Sequence, residues 1–216
     1  NSMVTPNIVV TIGRQMGSGG HELGRRLAAR LGIEFYDKEL LMQAARDAGL
    51  CPDFFRNSDE KRPSFVGGFF ANFPGASPMA YYDAGGFGGG YDALYKAQCD
   101  FVRRVASRGS CVIVGRSADY ILRNHPRVAS IFVCAAKDDC IGRVRRRRPE
   151  ISIEQARTIV EKTDKARAAF YNFYSDKQWG EAASYDLSVS TSAMDIDNLV
   201  EVVADYLQRR FGIQIN

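Results

Sequence analysis

A cluster of glycines near the start of the chain has the spacing of a phosphate-binding turn. It directly follows an apolar run that ends at Ile12, and its members are Gly13, Gly17, Gly19 and Gly20. Glycine accepts positive φ angles and lets a backbone approach a ligand closely, so successive N–H groups can converge on one anion. The chemistry that this pattern predicts is the binding of a phosphate group at the start of a helix.

An amphipathic helix and an acidic residue follow the glycines. Leu23 and Leu27 recur at helical spacing, and Gly32 is a typical helix terminator. A second short apolar strand over 33–36 is followed by Asp37. Because ligands of open α/β sheets lie beyond the carboxyl ends of the strands, Asp37 is predicted to face the anion that the glycines hold.

The segment departs from the common phosphate-loop pattern G-x-x-x-x-G-K-[ST] at three positions. In the best register, Arg14 takes the place of the first glycine, Gly20 that of the lysine and His21 that of the hydroxyl residue. We hypothesise that Arg14 supplies the missing cation, because a guanidinium can bridge two phosphates bidentately. The alternative is a glycine-rich turn that binds nothing.

The composition is that of an ordinary soluble protein with one domain, or one domain and a lid. The chain has 216 residues, of which 45% are hydrophobic and 25% charged, and a formal net charge of +4, which suits an anionic small ligand. No apolar run reaches the roughly 20 residues of a membrane span, and no secretory signal is present, so we expect a cytoplasmic protein. The predicted domain covers 4–216, because Asn1–Met3 are expected to be a cloning remnant.

The cysteines and histidines do not predict a metal centre. The five cysteines lack the close pairing that zinc sites show, and we expect small buried thiols in a reducing compartment. His21 and His125 are the two histidines, and His125 precedes a proline in a predicted loop.

Five apolar segments alternate with helical patterns, which predicts right-handed βαβ units. The strands are placed at about 7–13, 33–36, 111–115, 128–134 and 186–190. Helices are predicted over 38–48, 92–108, 117–123, 138–148 and 152–164, and a last one starts at Asp195 or Asp197. Ser152 and Gln155 have the spacing of a capping box. The predicted fold class is α/β, with a five-stranded, mostly parallel sheet and helices on both faces.

Two segments interrupt the predicted sheet. Residues 38–92 are rich in glycine and hold aromatic residues from Phe65 to Tyr91 without a regular period, as lids and binding loops often do. These aromatics could cover the core, make an oligomer contact such as a homodimer, or stack a base. Residues 136–180 are basic, and Arg145–Arg148 is either a solvated helix face or a phosphate clamp. We predict an acceptor-binding arm over 38–92 and a helical lid over 136–180, with the phosphate-loop unit over 4–37.

Five segments, taken in order, resemble the cytidylate kinase-like branch of the P-loop nucleoside monophosphate kinases. The first, VTIGRQMGSGGHELGRRLAARLGIEFYD, is similar to the family's opening strand, loop, helix and acid. VIVGRSADYIL resembles the family's strand with the Gly-Arg-Asp signature, and VASIFVCAAKDDCIGRVRRR resembles the strand and basic helix that lead to its lid. EKTDKARAAFY resembles the lid itself, and YDLSVSTS resembles the final strand and the base-contacting turn. The resemblance implies a three-layer fold of the P-loop NTP hydrolase type, and covers most of the chain outside about 50–92.

The resemblance implies a kinase that moves the γ-phosphoryl group of ATP to a nucleoside monophosphate such as CMP or dCMP, with Mg²⁺. Arg116, Arg143 and Arg167 match arginines of the family's motifs, and Asp37 matches its acid near the reacting phosphates, where it could hold a metal-bound water or the acceptor. With Arg14, these are the predicted catalytic residues. The predicted nucleotide-binding residues are Gly13, Gln15, Gly17, Ser18, Gly19, Gly20, His21 and Glu22.

Two classes of function remain open at this point. One is an active kinase of nucleoside monophosphates or a related small acceptor, which Asp37, Arg116 and the basic lid favour. The other is a P-loop-derived protein that binds a nucleotide or anion in a regulatory role, which the missing lysine favours. Ser117 also stands where the family has its aspartate. Neither a nucleic acid nor a membrane is an expected partner, because the basic residues lack a recognised nucleic-acid module.

Overall fold

Five parallel strands form one sheet in the computed structural model, which describes residues 7–37, 88–115 and 117–214. They are β1 (Val9–Arg14), β2 (Glu34–Tyr36), β3 (Cys111–Val114), β4 (Val128–Cys134) and β5 (Leu187–Ser190). The strand order is β2-β3-β1-β4-β5, and every neighbouring pair is parallel. The strand that leads into the glycine loop therefore lies at the centre of the sheet.

Helices connect the strands and cover both faces of the sheet. They are α1 (Gly20–Leu31), α2 (Gly88–Arg108), α3 (Ala118–Ile121), α4 (Lys137–Arg147), α5 (Ile153–Tyr174) and α6 (Ile196–Phe211), with a short 3₁₀ turn at Ala182–Ser184. Alternate residues of β1 face the two layers. Val10 and Ile12 pack with α1 and α6, while Val9 packs with α2 and α3. The predicted α/β architecture is therefore confirmed, because β1 is buried on both sides.

Three predicted helix ends are confirmed by the structure. Helix α1 ends at Gly32, which has a left-handed φ of 64°. At the start of α5, the Ser152 hydroxyl accepts a hydrogen bond from the Gln155 N–H, and the Gln155 side chain accepts one from the Ser152 N–H. Asp195, rather than Asp197, caps α6.

Two helices differ from the predicted bounds by four residues or more. Helix α5 was expected to end near Asp164 but continues to Tyr174, because the intervening residues include neither glycine nor proline, the residues that most disfavour a helix. Helix α2 begins at Gly88 instead of Asp92. Glycine disfavours a helix by only about 1 kcal/mol per residue, which a helix stabilised by packing can overcome.

Several predictions lie outside the described residues. They concern the helix over 38–48, the arm from 38 to 87, Cys51 and Arg116. Of the other cysteines, Cys99, Cys111 and Cys140 are free and buried, as expected, and Cys134 is partly buried. No helix in the described ranges has the length and apolar character that crossing a membrane requires.

Candidate functional site

The glycine loop joins the carboxyl end of β1 to the start of α1 in a tight turn. Gly17 and Gly19 have φ angles of 78° and 84°, which only glycine adopts readily. The Ser18 hydroxyl donates to the Gln15 carbonyl at 2.9 Å, and the Gln15 side-chain oxygen accepts from the Ala135 N–H at 3.0 Å. These contacts close the turn directly before the first N–H groups of α1, which is the arrangement that binds anions at helix N-termini.

The side chain of Arg14 fills the space that a side chain at position 20 would need. A Cβ atom placed on Gly20 would lie 2.5 Å from the Cβ of Arg14 and 3.1 Å from its Cγ. Carbon atoms pack at about 3.5–4.0 Å, so a larger residue at position 20 would force the loop or Arg14 to shift. The absent lysine and the unusual arginine are therefore one feature of the loop, in which a cation has exchanged places with a glycine.

A second glycine makes room for the same guanidinium. Gly115, at the carboxyl end of β3, has a φ of 80°, and a Cβ placed on it would lie 2.9 Å from the Cζ of Arg14 and closer still to its Nη1. The Arg14 guanidinium thus lies beside the carboxyl ends of both β1 and β3. This is the edge of the sheet at which ligands of parallel α/β proteins bind.

His21 and Asp37 come together at the same edge. The His21 Nε2 lies 2.9 Å from the Asp37 Oδ2, and the imidazole packs edge-on against Phe35 with ring centroids 5.4 Å apart. The His21 side chain is half exposed, whereas only 18% of the Asp37 side chain is exposed. Asp37 therefore lies in direct contact with a side chain of the first turn of α1.

The Glu22 carboxylate is engaged with arginines of its own helix. It accepts hydrogen bonds from Arg25 at 2.7 Å and from Arg26 at 2.6 Å, and these two partners lower its pKa to about 2. Arg26 also pairs with Asp197 at the start of α6. A negative charge so close to an anion site is therefore neutralised by two cations.

Two of the predicted catalytic arginines contact backbone oxygens of the glycine loop. Arg143 on α4 donates from Nη1 to the Gly17 carbonyl at 3.2 Å. Arg167 on α5 donates from Nη1 to the Arg14 carbonyl at 3.0 Å. In this structure both guanidinium groups support the loop through its backbone oxygens.

Asp164 links helix α5 to the loop through a hydrogen bond to its carboxylate. Its Oδ1 accepts from the Met16 N–H at 2.6 Å and lies 3.7 Å from the Nη1 of Arg167. Burial raises the pKa of Asp164 to about 6, although Met16 and Arg167 both favour the charged form. Burial likewise lowers the pKa of Arg167.

This buried carboxyl predicts a pH dependence of stability. Because the folded-state pKa of Asp164 is raised, the folded protein binds the proton more tightly, and stability falls as the pH rises from about 4 to 6. A rise from 3.8 to about 6 corresponds to about 2 to 3 kcal/mol. Asp164→Asn keeps an acceptor for Met16 and removes the titration. The free energy of unfolding is measured for both proteins by urea denaturation from about pH 4 to 7. As the pH rises over this range, the wild type should lose that amount of stability relative to Asp164→Asn. A constant difference across this range would contradict the prediction.

A buried polar cluster that the sequence did not indicate lies beside the loop. The Tyr171 hydroxyl on α5 donates to the Asp119 carboxylate on α3 at 2.6 Å, and burial raises the pKa of Asp119. The Tyr185 hydroxyl is buried with no hydrogen-bond partner among the described residues, and it would lie 3.4 Å from a Cβ on Gly13. The resemblance implied an aspartate at the position of Ser117, and Asp119 stands two residues after it. This nearby position is the sequence signal that could have indicated the buried carboxylate.

The donors at the site fit Mg²⁺ in part. Magnesium is usually held by one or two carboxylates together with substrate phosphates and water, and Asp37 offers such a carboxylate. At the hydroxyl position of the common pattern, His21 offers an imidazole nitrogen, which suits Zn²⁺ or Cu²⁺ better than Mg²⁺. Within 7–37, 88–115 and 117–214, no three His, Cys, Asp or Glu side chains gather closely enough to form a metal site on their own. A magnesium ion would therefore depend on the nucleotide and on Asp37.

Comparison with known proteins is consistent with this geometry. The model of the cytidylate kinase-like family matches residues 9–193. No curated protein matches the chain significantly in sequence.

Solved structures give the same picture of the fold. An uncharacterised protein from Eubacterium ventriosum ATCC 27560 is 27% identical, with a TM-score of 0.69 over 94% of this chain and 99% of that one. Shikimate kinase from Bacteroides thetaiotaomicron is 13% identical, with a TM-score of 0.54 over 95% and 99%. Shikimate kinase from Acinetobacter baumannii, in complex with shikimate, is 15% identical, with a TM-score of 0.52 over 95% and 96%. The architecture is that of the P-loop kinases.

Proposed function

Because the chain belongs to the cytidylate kinase-like family, we propose that it is an ATP-dependent phosphotransferase whose acceptor is a nucleoside monophosphate, CMP or dCMP in the first instance. The transfer would be in line, from the γ-phosphoryl group of ATP to an acceptor phosphate oxygen. Such reactions require little covalent chemistry from the protein, and depend on positioning and on neutralising charge on the transferred oxygens.

One observation carries this proposal: the exchange of places between Arg14 and Gly20. If the lysine were absent because the protein no longer binds phosphate, the loop would have no need to accommodate a guanidinium. It would then not need glycine at both position 20 and position 115. Both are present, and both lie within contact distance of the Arg14 side chain. A cation has thus been kept at this edge of the sheet, where it can neutralise a phosphate.

Other residues would bind the nucleotide and the metal ion. The N–H groups from Gly17 to His21 would hold the β-phosphate, with α1 adding its helix dipole. Arg14 would neutralise charge on the transferred group, as a preorganised cation does in other phosphoryl transfers. Asp37 would hold Mg²⁺ through water, and a bound ion would supply positive charge to neutralise the phosphates.

A second candidate function is supported by the contacts of Arg143 and Arg167. Both donate to loop carbonyls, at 3.2 and 3.0 Å. A protein whose Arg143 and Arg167 are bonded to the loop in this way could bind a nucleotide or anion without transferring phosphate, and act as a regulator. Both functions predict binding of a nucleotide, but only the kinase predicts turnover.

An ADP-release assay coupled to NADH oxidation separates these functions. The protein is assayed with ATP, Mg²⁺ and, in turn, CMP, dCMP, UMP, AMP and shikimate, and its binding of ATP alone is measured by calorimetry. We expect acceptor-dependent ADP release that is fastest with CMP or dCMP. Binding of ATP without release for any acceptor would favour the regulatory function. Absence of both binding and release would contradict both proposals.

Asp37→Asn is the control variant for this assay. Asparagine keeps an acceptor for His21 but removes the negative charge that would face the metal. We expect turnover to fall by about 10- to 100-fold, as when outer contacts of a metal are lost, with little change in thermal unfolding. If release persists at the wild-type rate, the activity arises from a contaminating kinase or Asp37 has no role in it.

A further inference from the structure

Two carbonyl groups of the glycine loop accept hydrogen bonds from residues outside the loop. The Thr191 Oγ1, in the turn after β5, donates to the Ser18 carbonyl at 2.7 Å. The Arg143 Nη1 on α4 donates to the neighbouring Gly17 carbonyl at 3.2 Å. Consecutive peptide units of the loop are therefore fixed by two different elements of the fold.

The two donors are also bonded to each other. Arg143 donates from Nη1 to the Thr191 Oγ1 at 2.8 Å and from Nη2 to the Thr191 carbonyl at 3.1 Å. A guanidinium can only donate, so the Thr191 oxygen must accept from it, and the single hydroxyl hydrogen is left to point at Ser18. Arg143 thus fixes the direction in which Thr191 donates. Thr191 is 7% exposed and Ser18 is fully buried, so water competes little with these bonds.

The direction of a carbonyl sets the direction of the next N–H group. Across a planar trans peptide the two point opposite ways. With the Ser18 carbonyl held towards Thr191, the Gly19 N–H must point away from Thr191. Gly19 is the N-cap of α1, so this N–H belongs to the set at the helix start that can bind an anion.

From this geometry we propose that Thr191 is a positioning residue for phosphate binding, with Arg143 orienting its hydroxyl. The proposal rests on the proposed function only in that the ligand is a phosphate of a nucleoside triphosphate. It assigns Arg143 contacts with the Gly17 carbonyl and with Thr191, in place of a direct contact with phosphate. Sequence analysis did not predict this role for Thr191, because threonine in a turn is common and the Ser18 carbonyl lies 173 residues away in the chain.

Paired substitutions at Thr191 separate its hydroxyl from its methyl group. The methyl Cγ2 lies 3.8 Å from the position of a Cβ on Gly19, so it packs near the loop as well. Thr191→Val keeps the shape and loses the hydroxyl, which leaves the Ser18 carbonyl and an Arg143 N–H without partners. Thr191→Ser keeps the hydroxyl and loses the methyl. A packing role predicts a larger loss for serine, and a positioning role predicts a larger loss for valine.

The experiment measures binding of a non-hydrolysable ATP analogue, and of inorganic phosphate, to wild type and both variants by calorimetry. Amide ¹H–¹⁵N spectra follow Gly19 in the same titrations. We expect Thr191→Val to weaken analogue binding by about 10- to 100-fold and to move the free-state Gly19 resonance, while Thr191→Ser stays within about threefold of wild type. In turnover, Thr191→Val should raise the KM for ATP more than it lowers kcat.

Wild-type binding by Thr191→Val, or equal losses for valine and serine, would overturn the proposal. Should the valine variant fail to fold, Arg143→Lys provides the same test, because lysine keeps the charge but cannot donate to Thr191 and Gly17 in the same fork. Its analogue binding should weaken by about tenfold, and unchanged binding would overturn the proposal. A wild type that binds the analogue but releases no ADP would contradict the proposed kinase activity alone. A wild type that binds neither analogue nor phosphate would overturn both.

Discussion

The double variant Arg14→Gly/Gly20→Lys is expected to turn over at least about tenfold faster than either single variant. Arg14→Gly alone removes the cation from the edge of the sheet, and loss of one preorganised charge of this kind costs about 10²- to 10³-fold in kcat. Gly20→Lys alone forces a Cβ to 2.5 Å from the Cβ of Arg14, so the loop must distort. The double variant restores the usual order of glycine and lysine, and the space that Arg14 leaves receives the new side chain.

The recovery should be incomplete for two reasons. A Cβ at position 20 also lies 3.2 Å from the Cβ of Val133, and that contact stays tight when Arg14 is removed. An ammonium group is a point charge, whereas the guanidinium is a planar fork, so the two will not place charge in the same geometry. We therefore expect a strongly non-additive double-mutant cycle with an activity below that of the wild type.

The cycle is measured as kcat and KM for ATP in all four proteins, with thermal unfolding recorded for each. Arg103→Ala, which removes an arginine from the exposed surface of α2, is the matched control and should leave turnover unchanged. Wild-type turnover by Arg14→Gly would show that the guanidinium does not replace the lysine. Additive losses in the double variant would show that the two positions do not share one space.

The sequence predicted the strands and the glycine loop because their signals are local. Apolar β-branched runs mark β1, β3 and β4, and the predicted strands lie within two residues of the observed ones. The length of α5 was underestimated because no residue marks its end. Ser175 follows Tyr174 without the glycine or proline that usually indicates a helix terminus.

The site was less predictable because its contacts are long-range. The sequence indicated that Arg14 could replace the lysine, but the steric exchange with Gly20 and the space left by Gly115 need coordinates. Arg143 matched a family position, yet its bonds to Gly17 and Thr191 depend on how α4 packs beside the loop. The buried state of Asp119 likewise depends on Tyr171, 52 residues later.

Gly17→Ala is expected to abolish measurable ATP binding and to lower the melting temperature substantially. Gly17 has a φ of 78°, and a Cβ on it would lie 2.9 Å from the C and Cα atoms of Cys140 and closer still to the Cys140 carbonyl oxygen. Those atoms are backbone of α4, which cannot rotate away as a side chain can. Relief therefore requires either the loop or α4 to move, and each movement breaks the Arg143 bond to the Gly17 carbonyl.

Alanine substitutions at two other glycines separate the steric contact with α4 from the backbone strain of a positive φ. Gly32→Ala carries a similar conformational strain, since its φ is 64°, but nothing lies within 4 Å of its Cβ position. It should cost only about 1 kcal/mol and leave ATP binding intact. Gly142→Ala, within α4, meets no neighbour and has no positive φ, so it should stabilise the protein by up to about 1 kcal/mol. Calorimetry and thermal unfolding of the three variants compare them directly. Equal effects at Gly17 and Gly32 would mean that backbone strain, rather than the contact with α4, governs the loop, and normal ATP binding by Gly17→Ala would exclude this turn as the phosphate site.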